Sequence, residues 1–416
     1  MKLELTLSQP VLPCAAEAEV VFLARLTPRG GVAAPGARPV DVRFVLDRSY
    51  SMGEASGLGG LTKLEALKQA CSAAIDQLVA GRDRAGVWAF AAKAAVPLVW
   101  QALARRADLA ALKKAIDKLS LQGGTAFADA LGGAVAAPRD GAATTLVVFL
   151  TDGVPYCPDV DAERARTLAL AERAGELGLT LLVYGTGVSY DEAFLRKVAE
   201  HAGGGSRFAH LSDVSALGAE LAREIQLGAA AQASEVEFAV VPAPGVSLSE
   251  VTAMLPAQHE VVIRGAGAGG AGDARERAGV VDARGRAYVV RARLADARVA
   301  ATRDVARVEV SWRDGAGAQR EVREVLVELS ADAARVSAPD ALVRATVLTA
   351  AGARATMRGD LGLARTLFGS AGNATMLGAL ATLGTAAAGG DEDAARSLRT
   401  RVMTPGMALG TAKGDE

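Results

Sequence analysis

The alternation of apolar and polar positions divides the chain into stretches of different period. Residues 3–9 and 18–27, the second containing the run EVVFLARL, repeat every two residues and predict β-strands; the Gly/Pro-containing stretch 28–38 breaks the pattern. From residue 40, short runs that are apolar throughout alternate with segments of helical spacing. Strands are predicted at 40–46 (VDVRFVL), 83–90, 95–100, 144–150 (TTLVVFL), 179–185 (LTLLVYG) and 206–211. Helices are predicted at 63–80, 107–119, 125–137, 160–177, 191–202 and 214–229. A strand without a polar face is covered on both sides, and helices between such strands are the crossovers that parallel pairing needs. Residues 39–230 are therefore expected to form an α/β domain around a doubly wound, mostly parallel sheet.

Beyond residue 230 the period of two returns. Segments 234–251, 259–265, 287–294, 306–312 and 321–329 predict an antiparallel β-sandwich at 231–332, with turns at Asp282-Ala283-Arg284-Gly285 and Arg313-Asp314-Gly315 and a glycine-rich loop at 265–273. Residues 1–38 are expected to pair with these strands, which makes the α/β domain an insertion into the sandwich. Residues 333–416 are expected to be a helical C-terminal region with a disordered tail, carrying two to four helices between 338 and 403. Met357-Arg358-Gly359-Asp360 followed by LGLARTLF has the rhythm of a helical hairpin, with no second copy at fixed period.

Charge and cysteine content narrow the function classes. Forty-six basic residues nearly balance 47 acidic ones, so no net field favours nucleic acid or an anionic membrane, and recognition must be local. Cys14, Cys71 and Cys157 are odd in number and far apart, which fits neither a disulfide framework nor a zinc knuckle and suggests a reducing compartment. The opening MKLELTLSQPVLPC alternates like a strand and lacks the apolar core of a secretory leader, and no run reaches the roughly 18 apolar residues of a membrane helix. A cytoplasmic location is the expectation. With aromatics at only 4 %, the core must be built largely from Leu, Val and Ala.

In open α/β sheets, ligands sit beyond the carboxyl ends of the strands. Two predicted strands end there in an aspartate: Asp47-Arg48-Ser49-Tyr50-Ser51-Met52-Gly53 follows the first, and Thr151-Asp152-Gly153 follows the fourth. Gly123-Gly124-Thr125 lies between them in sequence, opening a predicted helix. Two carboxylates and three hydroxyls make an all-oxygen donor set, which suits a hard cation such as Mg²⁺ or Mn²⁺. Each residue also has a plainer reading: Asp47 and Ser49 as turn and cap residues, Thr125 as a helix N-cap, Asp152-Gly153 as an ordinary turn.

Together these residues resemble the metal-ion-dependent adhesion site of von Willebrand factor type A and integrin I domains, and the chain resembles bacterial A-domain proteins with flanking β segments. Asp47, Ser49 and Ser51 match its DxSxS element, Thr125 its threonine and Asp152 its second aspartate, over a stretch of roughly 39–229. The resemblance implies that Ser49, Ser51 and Thr125 ligate the ion, that Asp47 and Asp152 bind it directly or through water, and that an Asp or Glu of a partner protein completes the octahedron. It further implies a module that does no chemistry on its partner and works within an assembly containing a kinase, a phosphatase or an AAA+ ATPase. Tyr50, Met52, Tyr156 and Cys157 are expected at the rim, where they either touch the partner or pack locally.

Other chemistries find no support in the residues. A phosphoryl-transfer aspartate needs a second acid two positions on, and Ser49 stands there. No GxxxxGK[ST] loop occurs, and Gly57-Leu58-Gly59-Gly60 is a loose cluster. His201, His210 and His259 form no evident triad. A metal-dependent hydrolase centre and a purely structural metal site are the alternatives to the adaptor.

Overall fold

A computed structural model of the chain describes residues 1–28, 38–56, 60–91, 97–102, 106–187, 189–211, 215–265 and 272–403. Most of the predicted break at 28–38, Gly57-Leu58-Gly59, the start of the strand expected at 95–100, most of the loop at 265–273 and the tail beyond 403 fall outside them. The chain separates into two compact units, residues 1–29 with 235–416 and residues 30–234. The α/β unit is thus an insertion in chain order, and each unit is described by itself.

The first unit opens with β1 (Lys2–Leu7), β2 (Val11–Pro13) and β3 (Glu17–Thr27). The inserted unit follows with β4 (Val40–Asp47), α1 (Lys63–Ile75), β5 (Arg84–Phe90), β6 (Pro97–Ala102), α2 (Arg106–Asp117), α3 (Ala128–Ala136), β7 (Thr144–Thr151), α4 (Val160–Glu176), β8 (Thr180–Thr186), α5 (Glu192–Ala202), β9 (Arg207–Leu211) and α6 (Ser215–Ala229). Its sheet has the order β6-β5-β4-β7-β8-β9, parallel except for the antiparallel edge strand β6. Every residue of β4, β7 and β8 is buried, as strands covered on both faces require.

Two apolar clusters flank this sheet. One joins α1, α2 and α6 to one face through Leu67, Ile75, Leu112, Ile116, Leu221 and Ile225; the other joins α3, α4 and α5 to the opposite face. In the second, Phe90, Phe127 and Phe149 pack with ring centroids 5.3–5.7 Å apart. The scarce aromatics are concentrated where α3 crosses the sheet. α1 starts at a capping box in which Thr62 and Glu65 satisfy each other's free amides, and it stops at Ile75, earlier than the apolar spacing predicts.

After α6 the first unit resumes with β10 (Ala233–Pro242), β11 (Val246–Leu255), β12 (His259–Glu260), β13 (Ile263–Arg264), β14 (Asp273–Val281), β15 (Arg286–Ala295), β16 (Thr302–Asp314) and β17 (Gly317–Ser330). One sheet has the order β1-β3-β15-β11-β12, the other β13-β14-β10-β16-β17-β2. Phe238 of β10 stacks on Tyr288 of β15, centroids 3.8 Å apart, so residues of the two sheets meet face to face. Helices α7 (Ala341–Met357), α8 (Leu361–Ser370), α9 (Ala374–Ala388) and α10 (Glu392–Met403) follow. α7 packs Val343 and Ala350 against Leu23, Met254, Ala287 and Val289 of the first sheet.

Three differences from the sequence reading have local causes. The single strand expected at 234–251 is two, because Pro242-Ala243-Pro244-Gly245 reverses the chain with Gly245 at φ +78°. β14 was not expected, since its charged Asp273-Ala274-Arg275-Glu276-Arg277 start obscures the buried alternation. β2 is too short to carry a period; it pairs parallel with β17.

A buried polar pair offers a test of this unit. His259 Nε2 lies 2.6 Å from Glu276 Oε1, with both side chains buried. Burial alone would lower the imidazole pKa, but the Glu276 charge and hydrogen bond outweigh burial and the opposing Arg286 charge and raise it above 6.5. A raised folded-state pKa contributes stability that is fully present below 6.5 and is lost as pH rises through the folded value. The denaturant midpoint is expected to fall over that window, and His259→Gln to flatten the fall and cost about 1–3 kcal/mol. An undiminished slope in His259→Gln would assign the pH dependence to other groups.

Candidate metal centre

β4 and β7 are neighbours in parallel register, with Leu46 opposite Leu150, so their carboxyl ends deliver Asp47 and Asp152 to one edge of the sheet. Both aspartates are fully buried. Thr151 Oγ1 donates to Asp47 Oδ2 (2.6 Å) and the Ser49 amide donates to Asp47 Oδ1 (2.8 Å). Asp47 therefore shapes the turn that follows it as well as supplying charge. Burial, only partly opposed by the Thr151 and Ser49 hydrogen bonds, pushes its carboxyl up to about 6.

The turn itself is a short 3-10 segment, Tyr50–Gly53, preceded by Ser49 in extended conformation. The Arg48 amide donates to Phe90 O (3.1 Å), and Arg48 O accepts from the Gln122 amide (2.7 Å). Within this frame Ser49 Oγ lies 2.9 Å from Ser51 Oγ, and Ser51 Oγ donates to Asp152 Oδ1 (2.7 Å). Ser49, Ser51 and Asp152 thus form a continuous line of oxygens.

Thr125 reaches the same edge from the other side. Gly124, at φ +81°, turns the chain, and Gly123 packs so closely under Tyr50 that a Cβ would sit 3.1 Å from its ring. Thr125 and Tyr156 exchange two backbone hydrogen bonds, 3.1 and 2.9 Å, and the Ala126 amide donates to Ala91 O. These bonds keep Thr125 out of the helix: α3 starts at Ala128, and its capping residue is Phe127, without a side-chain bond. The N-cap reading of Thr125 does not hold. Its hydroxyl borders Gly153, from which a Cβ would be 3.9 Å away.

At the expected rim, Tyr50 and Tyr156 are 70 % and 76 % exposed and, with Val154 and Leu121, form an apolar border beside the oxygens. Met52 is different: it is fully buried in the core between the sheet and α1, so it cannot touch a partner. In a 3-10 turn successive side chains are about 120° apart, so Tyr50 and Met52 leave it in different directions, and Met52 takes the inner one. Cys157 is half-buried with its thiol on Asp159 O (3.4 Å), and burial together with the Glu163 charge raises its pKa, which favours the neutral thiol.

Lys63 and Glu54 escaped the sequence reading. Lys63 Nζ bonds Asp152 Oδ2 (2.7 Å) and Glu54 Oε2 (2.8 Å). Burial opposes its charge, but the two carboxylates more than offset this and raise its pKa. The available signal was a charged residue at the first position of a helix beginning after the site loop.

Residues 42–154 match the family model of the von Willebrand factor type A domain. The inserted unit has the von Willebrand factor type A fold. Two solved structures resemble nearly the whole chain. A von Willebrand factor type A protein from Catenulispora acidiphila is 18 % identical with a TM-score of 0.75, covering 97 % of this chain and 96 % of its own. The ArnB paralog VWA2 from Sulfolobus acidocaldarius is 13 % identical with a TM-score of 0.63, covering 98 % and 99 %. No curated protein matches the sequence significantly.

Among the described residues no three His, Cys, Asp or Glu side chains gather as a metal-ligand cluster, so an ion at the A-fold edge would depend on hydroxyls. Three hydroxyls and two carboxylates are hard oxygen donors of the kind such an ion takes, and the hydrogen bonds Ser49–Ser51 and Ser51–Asp152, 2.9 and 2.7 Å, bring three of the five side chains together.

The opposite placements of Tyr50 and Met52 predict opposite mutational behaviour. Met52→Ala is expected to cost about 2–5 kcal/mol in denaturant unfolding, and Tyr50→Ala less than about 0.5 kcal/mol. Comparable losses in both variants would contradict the described turn.

Proposed function

We propose that Asp47, Ser49, Ser51, Thr125 and Asp152 hold a divalent cation, Mg²⁺ or Mn²⁺, and that the chain is a protein-interaction module whose ion captures an Asp or Glu side chain of a partner protein. The observation that carries this reading is the hydrogen-bonded line of oxygens from Ser49 through Ser51 to Asp152, which gathers two hydroxyls and a buried carboxylate at the strand ends. Ser49, Ser51 and Thr125 would supply hydroxyl ligands, while Asp47 and Asp152 would supply charge directly or through water. Two carboxylates match the ion's formal charge, but the three hydroxyls donate little electron density, so the ion keeps its attraction for a carboxylate. The exposed Tyr50 and Tyr156 beside it suit an interface core. The intracellular assemblies expected from the family resemblance are compatible partners for such a module.

The side-chain chemistry favours holding over turnover. The four oxygens of Asp47 and Asp152 each accept one hydrogen bond, from Ser49, Thr151, Ser51 and Lys63, which fixes both carboxylates in orientation and leaves their remaining lone pairs for an ion. His210 is bonded to Tyr190, and His259 belongs to the other unit.

Calorimetric titration with MnCl₂ is expected to register one equivalent of metal, and Ser51→Ala to weaken it at least about tenfold. Capture of partners from a native lysate should be lost on adding EDTA and in Asp47→Ala. Failure of the protein to take up Mn²⁺ or Mg²⁺ would sink the reading, and capture indifferent to both EDTA and Asp47→Ala would reduce the ion to a structural part.

A further inference from the structure

Lys63 lies at the site without belonging to the five-oxygen set. It is the first residue of α1, where free amides already carry partial positive charge and an ammonium is disfavoured. A lysine so placed normally extends into water. Here its side chain is 9 % exposed and Nζ turns inward onto Asp152 and Glu54. The surrounding backbone is arranged to keep it there. The Lys63 amide donates to Glu54 O (2.9 Å), and Ala55 and Thr62 form an antiparallel bridge that closes the loop between them. Gly187, just past β8, lies over the ammonium, where a Cβ would come within 3.3 Å of Nζ.

We propose that Lys63 is a tethered positive charge that sets the divalent-ion affinity of this site, holding it low so that the ion is retained firmly only together with a partner's carboxylate; this rests on the metal-dependent reading above. By occupying Oδ2, Lys63 leaves Asp152 to address Ser51 through Oδ1 alone. Its charge also offsets one of the two buried carboxylates, so a divalent ion arrives at a site carrying a single net negative charge. Glu54 draws off part of that ammonium charge, less than a buried carboxylate would, because it is 66 % exposed and screened by water. The excess positive charge of the loaded site is what an incoming Asp or Glu neutralises.

The test is calorimetric titration of the full chain with MnCl₂, alongside thermal unfolding in EDTA and in Mn²⁺. Lys63→Met removes the charge, and Lys63→Gln removes it while keeping a hydrogen-bond donor for Asp152. Both are expected to bind Mn²⁺ about tenfold tighter or more than the unmodified protein and to show a larger Mn²⁺-induced rise in Tm. Glu54→Gln is expected to move affinity the other way, since it leaves the ammonium more fully on Asp152. It keeps the question open to measurement should both Lys63 variants fail to fold. Unchanged or weaker Mn²⁺ binding in the folded Lys63 variants, or equal or tighter binding in Glu54→Gln, overturns the proposal and leaves the metal-dependent reading intact. No uptake by any form removes the metal-dependent reading and this proposal with it.

Discussion

Two carboxylates taken wholly out of water at neighbouring strand ends are the constraint around which the A-fold unit is organised. The parallel pairing of β4 with β7 leaves no choice about it, since register puts Leu46 against Leu150 and the next residues are at the rim. A buried carboxylate without donors is costly, and two of them near each other repel. Local structure answers that cost. Thr151 and the Ser49 amide serve Asp47, Ser51 and Lys63 serve Asp152, and the turn after β4 exists in the form that brings those donors to hand.

The layers behind the site explain why this edge holds its shape. Strands buried on both faces, with Leu- and Ala-rich helices on one side and a Phe90-Phe127-Phe149 cluster on the other, give the loops a stiff base. Phe127 belongs to that cluster and also caps α3, two residues after Thr125. Core packing and site geometry are therefore joined at one short segment. Trp88 adds a second tie: it packs so closely on Gly133 of α3 that a Cβ there would be 2.8 Å from its ring.

Much of this was legible in the sequence because the signals were redundant. The runs VDVRFVL, TTLVVFL and LTLLVYG are too short for helices and too apolar for half-exposed strands, and each proved to be a buried parallel strand. Their ends then drew attention to Asp47 and Asp152. What stayed hidden depends on three-dimensional neighbours that no period encodes. Met52 sits in the same string as Tyr50, but a 3-10 turn sends it inward. Thr125 reads as a cap until its backbone is seen bonded to Tyr156. Lys63 reads as an ordinary surface residue of an amphipathic helix, and only the bond of its amide to Glu54 O and the Ala55–Thr62 bridge hold it where it meets Asp152. β14 hid because it opens on charged residues, three of them consecutive, with only alanine at its first buried positions.

The closure of the site's oxygens on donors from the same chain has a consequence for biosynthesis. Asp47 and Asp152 find their hydrogen-bond partners as soon as β4, β7 and the start of α1 come together, so the unit can complete its core before any ion is encountered. On the metal-dependent reading proposed above, cation supply and chain folding would be separate events in time, the ion meeting a scaffold that is already finished.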